Sequence, residues 1–282
     1  FTHNVAQRFD GGAVYVEFGA RVEAVDVLFS KNYAFGSGGA LNAAFGATAT
    51  IRECVFEGNV AEDDAGALRV TFGSFALLRD SFFARNRATA CCGAFDVFVA
   101  SNMSILTTTF ENNSAARYGA GDCDQRSYLE IHTAKFIENV ARRFTGALAI
   151  IFESSALIDD VLFLQNVAER AQAGALSVAV FSNASLNRFN CSLNSANREA
   201  GCVEVGINSD IQVRQAAFRL NSARTSGAIN VFDAGTCTVT DSTFESNRAR
   251  GAGALGVFDA SSCVLRNVSF LRNRASRRSS GA

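Results

Sequence analysis

The sequence predicts an all-β fold, a single-stranded parallel β-helix (β-solenoid) of about 10–11 coils of 26–28 residues each. Three observations predict it. A Phe-x-x-Asn-x-Ala phrase returns at nearly constant spacing, the residues before each Phe alternate between apolar and polar, and a Gly-Ala pair after most phrases opens a second alternating run.

The phrase sets the period. Phe1, Phe29, Phe56, Phe83, Phe110, Phe136, Phe163, Phe218, Phe244 and Phe270 each have Asn three places on, at Asn4, Asn32, Asn59, Asn86, Asn113, Asn139, Asn166, Asn221, Asn247 and Asn273. An eleventh copy has Cys191 in place of the ring and keeps Asn194. Ala follows two places after every one of these asparagines, and successive copies lie 26–28 residues apart. A repeat without a lapse makes residues 1–282 one continuous body rather than two domains. Because the chain starts and stops inside copies of the repeat, it is expected to be a segment of a longer protein with both caps missing.

Aligning the coils on the Phe decides between helices and strands. Five places before it stand Ala24, Ile51, Leu78, Ile105, Ile131, Ile158, Leu186, Val213, Val239 and Leu265, all apolar. Three places before it stand Asp26, Glu53, Asp80, Thr107, Thr133, Asp160, Arg188, Gln215, Asp241 and Asn267, all polar. The seventh place is again largely apolar, from Val22 and Ala49 to Cys237 and Cys263. Two-residue alternation marks a strand with one buried face. The Phe is inward yet lies five steps from the apolar column, so the alternation must break once between them, at a corner. A further alternating run follows the Gly-Ala pair, as in Leu68 and Val70 or Leu148 and Ile150, which gives about three short strands per coil.

Such a coil cannot bury its inner face alone, but parallel stacking at about 4.8 Å closes a dry core. The Gly of the second phrase, at Gly12, Gly39, Gly66, Gly93, Gly146, Gly174, Gly201, Gly227 and Gly253, is expected either to take a positive φ or to pack where a Cβ would clash. The absence of Pro suits a body whose backbone N–H groups are used in ladders. The asparagines at Asn32, Asn59, Asn86, Asn113, Asn139 and Asn166 are taken as a structural ladder, their amides bonding along the axis. Phe29, Phe56, Phe83, Phe110, Phe136 and Phe163 are taken as an internal stack of offset rings. Phe18, Phe45, Phe72, Phe152, Phe181, Phe232 and Phe258 are expected to plug a second corner.

Phe-x-x-Asn coupled to Gly-Gly-Ala-[Ile/Leu/Val], as in Gly11-Gly12-Ala13-Val14 and Gly38-Gly39-Ala40-Leu41, resembles the repeat of the chlamydial polymorphic outer-membrane proteins and of related bacterial and protist surface proteins. The resemblance covers essentially the whole chain, although most copies here have a single Gly and the segment carries no membrane-barrel domain. It implies a right-handed parallel β-helix, and a secreted passenger or ectodomain used in adhesion or as a surface spacer.

Eight cysteines suggest an oxidising compartment. Cys237 and Cys263 share one inward column in neighbouring coils, where stacking brings Cα atoms close enough for a disulfide. Cys191 and Cys202 are candidates to meet across one coil, Cys92–Cys123 is a third candidate pair, and Cys54 reads as an unpaired core residue. No Cys/His spacing supports zinc. Five sequons occur, and Asn102 and Asn183 share a column read as an outward corner, which makes them the glycosylation candidates.

With 26 basic and 27 acidic residues the chain has no field calling for nucleic acid. The basic cluster Arg272, Arg274, Arg277 and Arg278 reads as a solvated end. No apolar run approaches a membrane span of about 18 residues. An enzyme is the main rival class, because β-helix enzymes set clustered carboxylates in a cleft of long loops. Here coil lengths vary by about two residues, and Asp63-Asp64, Asp122-x-Asp124 and Asp159-Asp160 are expected in different coils and columns, with His3 and His132 unpartnered. The fifth coil departs most: Tyr118-Gly-Ala-Gly-Asp-Cys-Asp124 reads as a disulfide-stapled bulge, or a cation site at Asp122 and Asp124. Ice binding would need regular outward Thr ranks, and those at Thr107 to Thr109 and Thr236 to Thr240 are local. The expectation is therefore a non-catalytic extracellular or cell-surface shaft or adhesive surface without cofactor. Its expected partners are flanking domains, other subunits and surface glycans, and a polysaccharide lyase or hydrolase is the alternative.

Overall fold

A computed structural model describes residues 1–170 and 172–276. The described residues contain no helix, and each strand pairs in parallel with its counterpart one coil on. Three ladders run along the axis. The first has two arms per coil, such as Tyr128–His132 and Lys135–Ile137, which fuse into Thr236–Glu245 and Ser262–Leu271 in the last two coils. The second is built of two-residue strands such as Val140–Ala141, and the third of strands such as Leu148–Ile151. Register follows the sequence columns: Ile131 pairs with Ile105 and Ile158, and Phe136 with Phe110 and Phe163.

The corner that breaks the alternation has a defined backbone. All ten polar residues three places before the anchor, from Asp26 to Asn267, have φ between 46° and 55°. One left-handed residue reverses the facing of the side chains that follow, so the next position turns inward and Cys54, Ala134 and Val161 are buried there. A second left-handed corner falls two places after the Phe, at Lys31, Arg85, Glu138 and Gln165 among others.

Inside, the rings stack at 4.5 Å for Phe29–Phe56, 4.4 Å for Phe56–Phe83, 4.9 Å for Phe110–Phe136 and 4.7 Å for Phe136–Phe163. Where Cys191 removes a ring, Phe189 turns in from two places earlier and lies 5.3 Å from Phe163 and 5.9 Å from Phe218. The asparagines form the ladder's polar spine. Asn113 donates from its backbone N–H and from Nδ2 to Oδ1 of Asn139 (3.0 and 3.1 Å), and from Nδ2 to the Phe83 carbonyl (2.9 Å). Asn139 repeats this with Asn166 and Phe110, and the chain of amides continues from Asn4 to Asn273. A second spine went unseen in the sequence: the Ser74 N–H donates to Ser101 Oγ, Ser101 N–H to Ser127 Oγ, and so on through Ser154 and Ser182 to Ser209.

Gly39 is required by close approach, since its φ is not positive and a Cβ there would meet the carbonyl oxygen of Gly66 in the next coil. Two expectations need correction. The fifth coil is no bulge: Gly121–Cys123 pairs in register with Phe95–Phe98 on one side and Leu148–Ile151 on the other. Gly121 stands in the Leu position because the ring of Phe95 fills the space its side chain would take. The corner aromatics do not plug the core either. Phe18, Phe45, Phe72, Phe152, Phe181 and Phe258 are exposed, and the first three stack on the outside at 5.2 and 4.8 Å. Successive left-handed residues, such as Phe152 and Glu153, hold that corner and keep its side chains outward.

Replacing Phe136 with Ala should leave a cavity costing about 3–5 kcal/mol. Asn139→Ala should cost at least about 3 kcal/mol, because two donors of Asn113, the Phe110 carbonyl and Asn166 Oδ1 each lose a buried partner. Chemical denaturation of both variants checks this, and an Asn139→Ala cost near zero would remove the amide spine from the stabilising interactions.

Candidate functional site

The groups with chemistry lie on the outer face of the third ladder. Its strands read inward-outward-inward, and register lines up the outward residues Asn42, Arg69, Asp96, Asp122, Ala149, Ser177, Glu204 and Asn230 in one column. The bends on either side cover this face, so Asp96 and Asp122 are only 3% exposed and Glu204 1%.

Two centres occupy the column. In the first, Arg69 Nε lies 2.9 Å from Asp96 Oδ2, an ion pair without the alignment of a hydrogen bond, and its guanidinium sits 5.4 Å from the centre of the Phe98 ring. Asp64 is 3.6 Å from Arg69 Nη2 and accepts from the Cys91 N–H. Asp122 follows Asp96 in register, with Cys91 Sγ 3.4 Å from its Oδ2, while its Oδ1 has no partner. Burial, then the charge of Asp96, pushes the Asp122 carboxyl far up, so Asp122 holds a proton; burial raises the Asp96 carboxyl as well, opposed by the charge of Arg69. Burial likewise raises Asp64 and Asp124 to about 6. Asp64, five places before Arg69, and Asp124, two places after Asp122, stand in columns separate from Asp122, as expected, yet all three lie close enough to act on one another's charge in one trough, with Asp96 the member that sequence reasoning missed. Asp159 lies on the first ladder instead, where it accepts from Asn187 Nδ2 at 2.7 Å, pairs with Arg188 and is 3.7 Å from His132 Nδ1. His132 is therefore partnered, with Glu130 2.9 Å from its Nε2.

The second centre is a groove of about 500 Å³ around Glu204. Glu204 Oε2 accepts from Ser177 Oγ at 3.0 Å and Oε1 has no partner. Burial raises its carboxyl to about 8, which keeps it protonated at neutral pH. The groove is also lined by Asn230, Phe144, Phe232 and Phe258, and by the charged Arg198, Glu199, Asp233 and Asp259.

The structure joins Cys191 to Cys202 (Cα–Cα 6.3 Å) and Cys237 to Cys263 (4.5 Å). The Cys92–Cys123 pair is not formed. Cys92 is bonded to its neighbour Cys91, and Cys123, in the inward column with Val97 and Ile150, is a free buried thiol in the core cluster. The sulfurs of Cys91 and Cys92 both lie by Asp122 on the outward side, so the strand separates Cys92 from the inward Cys123. Cys54 is free and buried. Cys91, Cys92 and Asp122 are the one group of potential metal ligands that converges among the described residues. Asn102 and Asn183 are exposed at strand starts in one column. Arg272 pairs with Glu245, while Arg277 and Arg278 lie outside the described residues. The Phe and Asn ladder residues Phe29 to Phe163 and Asn32 to Asn166 are buried. No helix among the described residues is long and apolar enough to cross a membrane.

These features define the class of protein as a parallel β-solenoid of about ten coils with a polar trough on one face. Scans against protein-family models, curated proteins and solved structures find no match to this chain.

Glu204 fixes a sign for pH dependence. Its folded-state value of about 8 exceeds the ordinary glutamate value, so the folded chain binds the extra proton and this contribution to stability is lost as pH rises toward 8. Asp64 and Asp124 act the same way up to about 6. Glu204→Gln, which keeps the shape without the charge, should show a smaller fall in Tm than wild type between about pH 5 and about pH 9, and parallel profiles would contradict the assignment. Peptide mapping without reduction should recover Cys191 with Cys202 and Cys237 with Cys263, whereas Cys54 and Cys123 should alkylate only after unfolding. Free Cys237 and Cys263 in secreted material would end that assignment.

Proposed function

We propose that this chain is a non-catalytic structural or adhesive shaft of an extracellular or cell-surface protein. One observation carries the reading. The amide spine passes through every copy of the repeat and strand register holds from coil to coil, so among the described residues no coil sends out a long loop to build a catalytic cleft. Disulfides between and within coils accord with an oxidising environment. The resemblance of the Phe-x-x-Asn and Gly-Gly-Ala phrases to the polymorphic outer-membrane repeat supports a surface role, with flanking domains, further subunits or surface glycans as partners.

The protonated Asp122 in register with Asp96, which pairs with Arg69, favours a second reading, a carbohydrate-active enzyme with two carboxyl groups in one trough. Against it, Arg69 engages Asp96, Cys91 lies on Asp122, and both carboxylates are closed from solvent. The shaft reading expects no polysaccharide turnover by wild type, and an Asp122→Asn/Asp124→Asn double variant indistinguishable from it. Reducing-end and double-bond assays on neutral and uronate polysaccharides measure this. Turnover present in wild type and abolished in the variant would overturn the shaft in favour of the enzyme.

A further inference from the structure

We propose that the groove around Glu204 is a binding site for a neutral saccharide chain. The inference rests on the adhesive side of the function proposed above and names the ligand class. Its volume of about 500 Å³ lies within the usual range for ligand sites, roughly 300–1,000 Å³. The lining residues come from five successive coils, from Phe144 to Asp259, so the groove extends along the axis for about 19 Å, four steps of the strand spacing. That length suits an extended chain better than a single sugar.

The floor is part apolar and part polar. Phe232 and Phe258 follow Val231 and Val257 on adjacent coils, with the Phe232 ring resting over Gly206 and the Phe258 ring over Gly256. The small residues beneath them let the rings lie down on the sheet. A pyranose presents one face of C–H groups, which pack against the negative face of an aromatic ring. Beside this platform Glu204 offers an unpartnered oxygen, although the residue is 1% exposed. A buried polar atom left without a partner is costly, and a ligand hydroxyl aligned with it would remove that cost. Asn230 is held by Ser226 Oγ, which donates to its Oδ1 at 2.8 Å, and so keeps its Nδ2 donors for a ligand acceptor.

Charge selects among saccharides. Glu199, Asp233 and Asp259 are the carboxylates lining the groove, against Arg198 as the one cation among the described lining residues, while Glu204 is held neutral by its proton. Uronate or sulfated chains would set like charges together in a partly desolvated site, so the ligand is a neutral one.

Calorimetry on the full chain with neutral β-linked gluco- and manno-oligosaccharides, and with an oligogalacturonate, tests the inference. The expected result is saturable binding of a neutral oligosaccharide, weakened at least tenfold by Phe258→Ala, with no uronate binding. Phe258 is 40% exposed and outside the core, so its variant folds, and small-angle scattering verifies that the rod is intact. Absence of saturable binding across the neutral panel, binding that Phe258→Ala leaves unchanged, or preference for the uronate would each overturn the site. An intact rod that binds no neutral saccharide ends this inference and leaves the shaft reading standing. Cleavage of a bound neutral chain would uphold the site and end the non-catalytic reading.

Discussion

Everything in this structure depends on the buried asparagine amide. From Asn32 to Asn247 each one uses both Nδ2 hydrogens and both lone pairs of Oδ1, bonding to the next amide, to the previous coil's anchor carbonyl (Phe, or Cys191 for Asn221), and to two donors of the preceding Asn. A primary amide buried without partners would oppose folding, but with all four valences filled it fixes where each coil sits on the next. The left-handed residue just before the Asn puts the side chain at that corner, and the Phe three places earlier fills the space beneath it. Loss of one ring is tolerated because Phe189 can replace it from a neighbouring position, whereas the copy lacking the ring still keeps its Asn194.

With the interior committed to these spines, chemical variety is left to the outward positions. On the third ladder that variety is concentrated: Arg69, Asp96, Asp122, Ser177, Glu204 and Asn230 share one line, covered enough to desolvate them. Partial covering makes this face unlike an ordinary protein surface, because carboxyls there keep protons at pH values where exposed ones would not.

The repeating elements were legible in the sequence because each column contains one kind of residue. The polar column from Asp26 to Asn267 marked the corner, and its left-handed backbone explains why it is polar: side chains there point to water from a strained turn. The trough was not legible, since its column mixes Arg, Asp, Ala, Ser and Glu and repeats nothing. One signal could have exposed it: the residue between the two apolar positions after each Gly-Ala must point outward, and lining up that position collects Asp96, Asp122 and Glu204. The same parity marks Cys123 as inward, facing away from Asp122, beside which the sulfur of its expected partner Cys92 lies. Gly121 looked irregular because its reason, the Phe95 ring, lies one coil away.

The amide spine also gives the rod a polarity. From Asn4 to Asn247 each Nδ2 donates to the Oδ1 of the Asn one coil higher, so the amide-to-amide bonds all run in one direction, while from Asn32 onward Nδ2 also donates back to a carbonyl of the lower coil. In the amide-to-amide bonds, one face of a coil therefore presents the Oδ1 acceptor and the other the N–H donors of the same Asn. A second coil set continues the amide column in the same direction, with Oδ1 meeting the Asn donors, while two like faces brought together by a two-fold axis would oppose identical groups of that column. Contacts made through the coil faces are thus heterologous and directional, the geometry that builds linear arrays in preference to closed pairs.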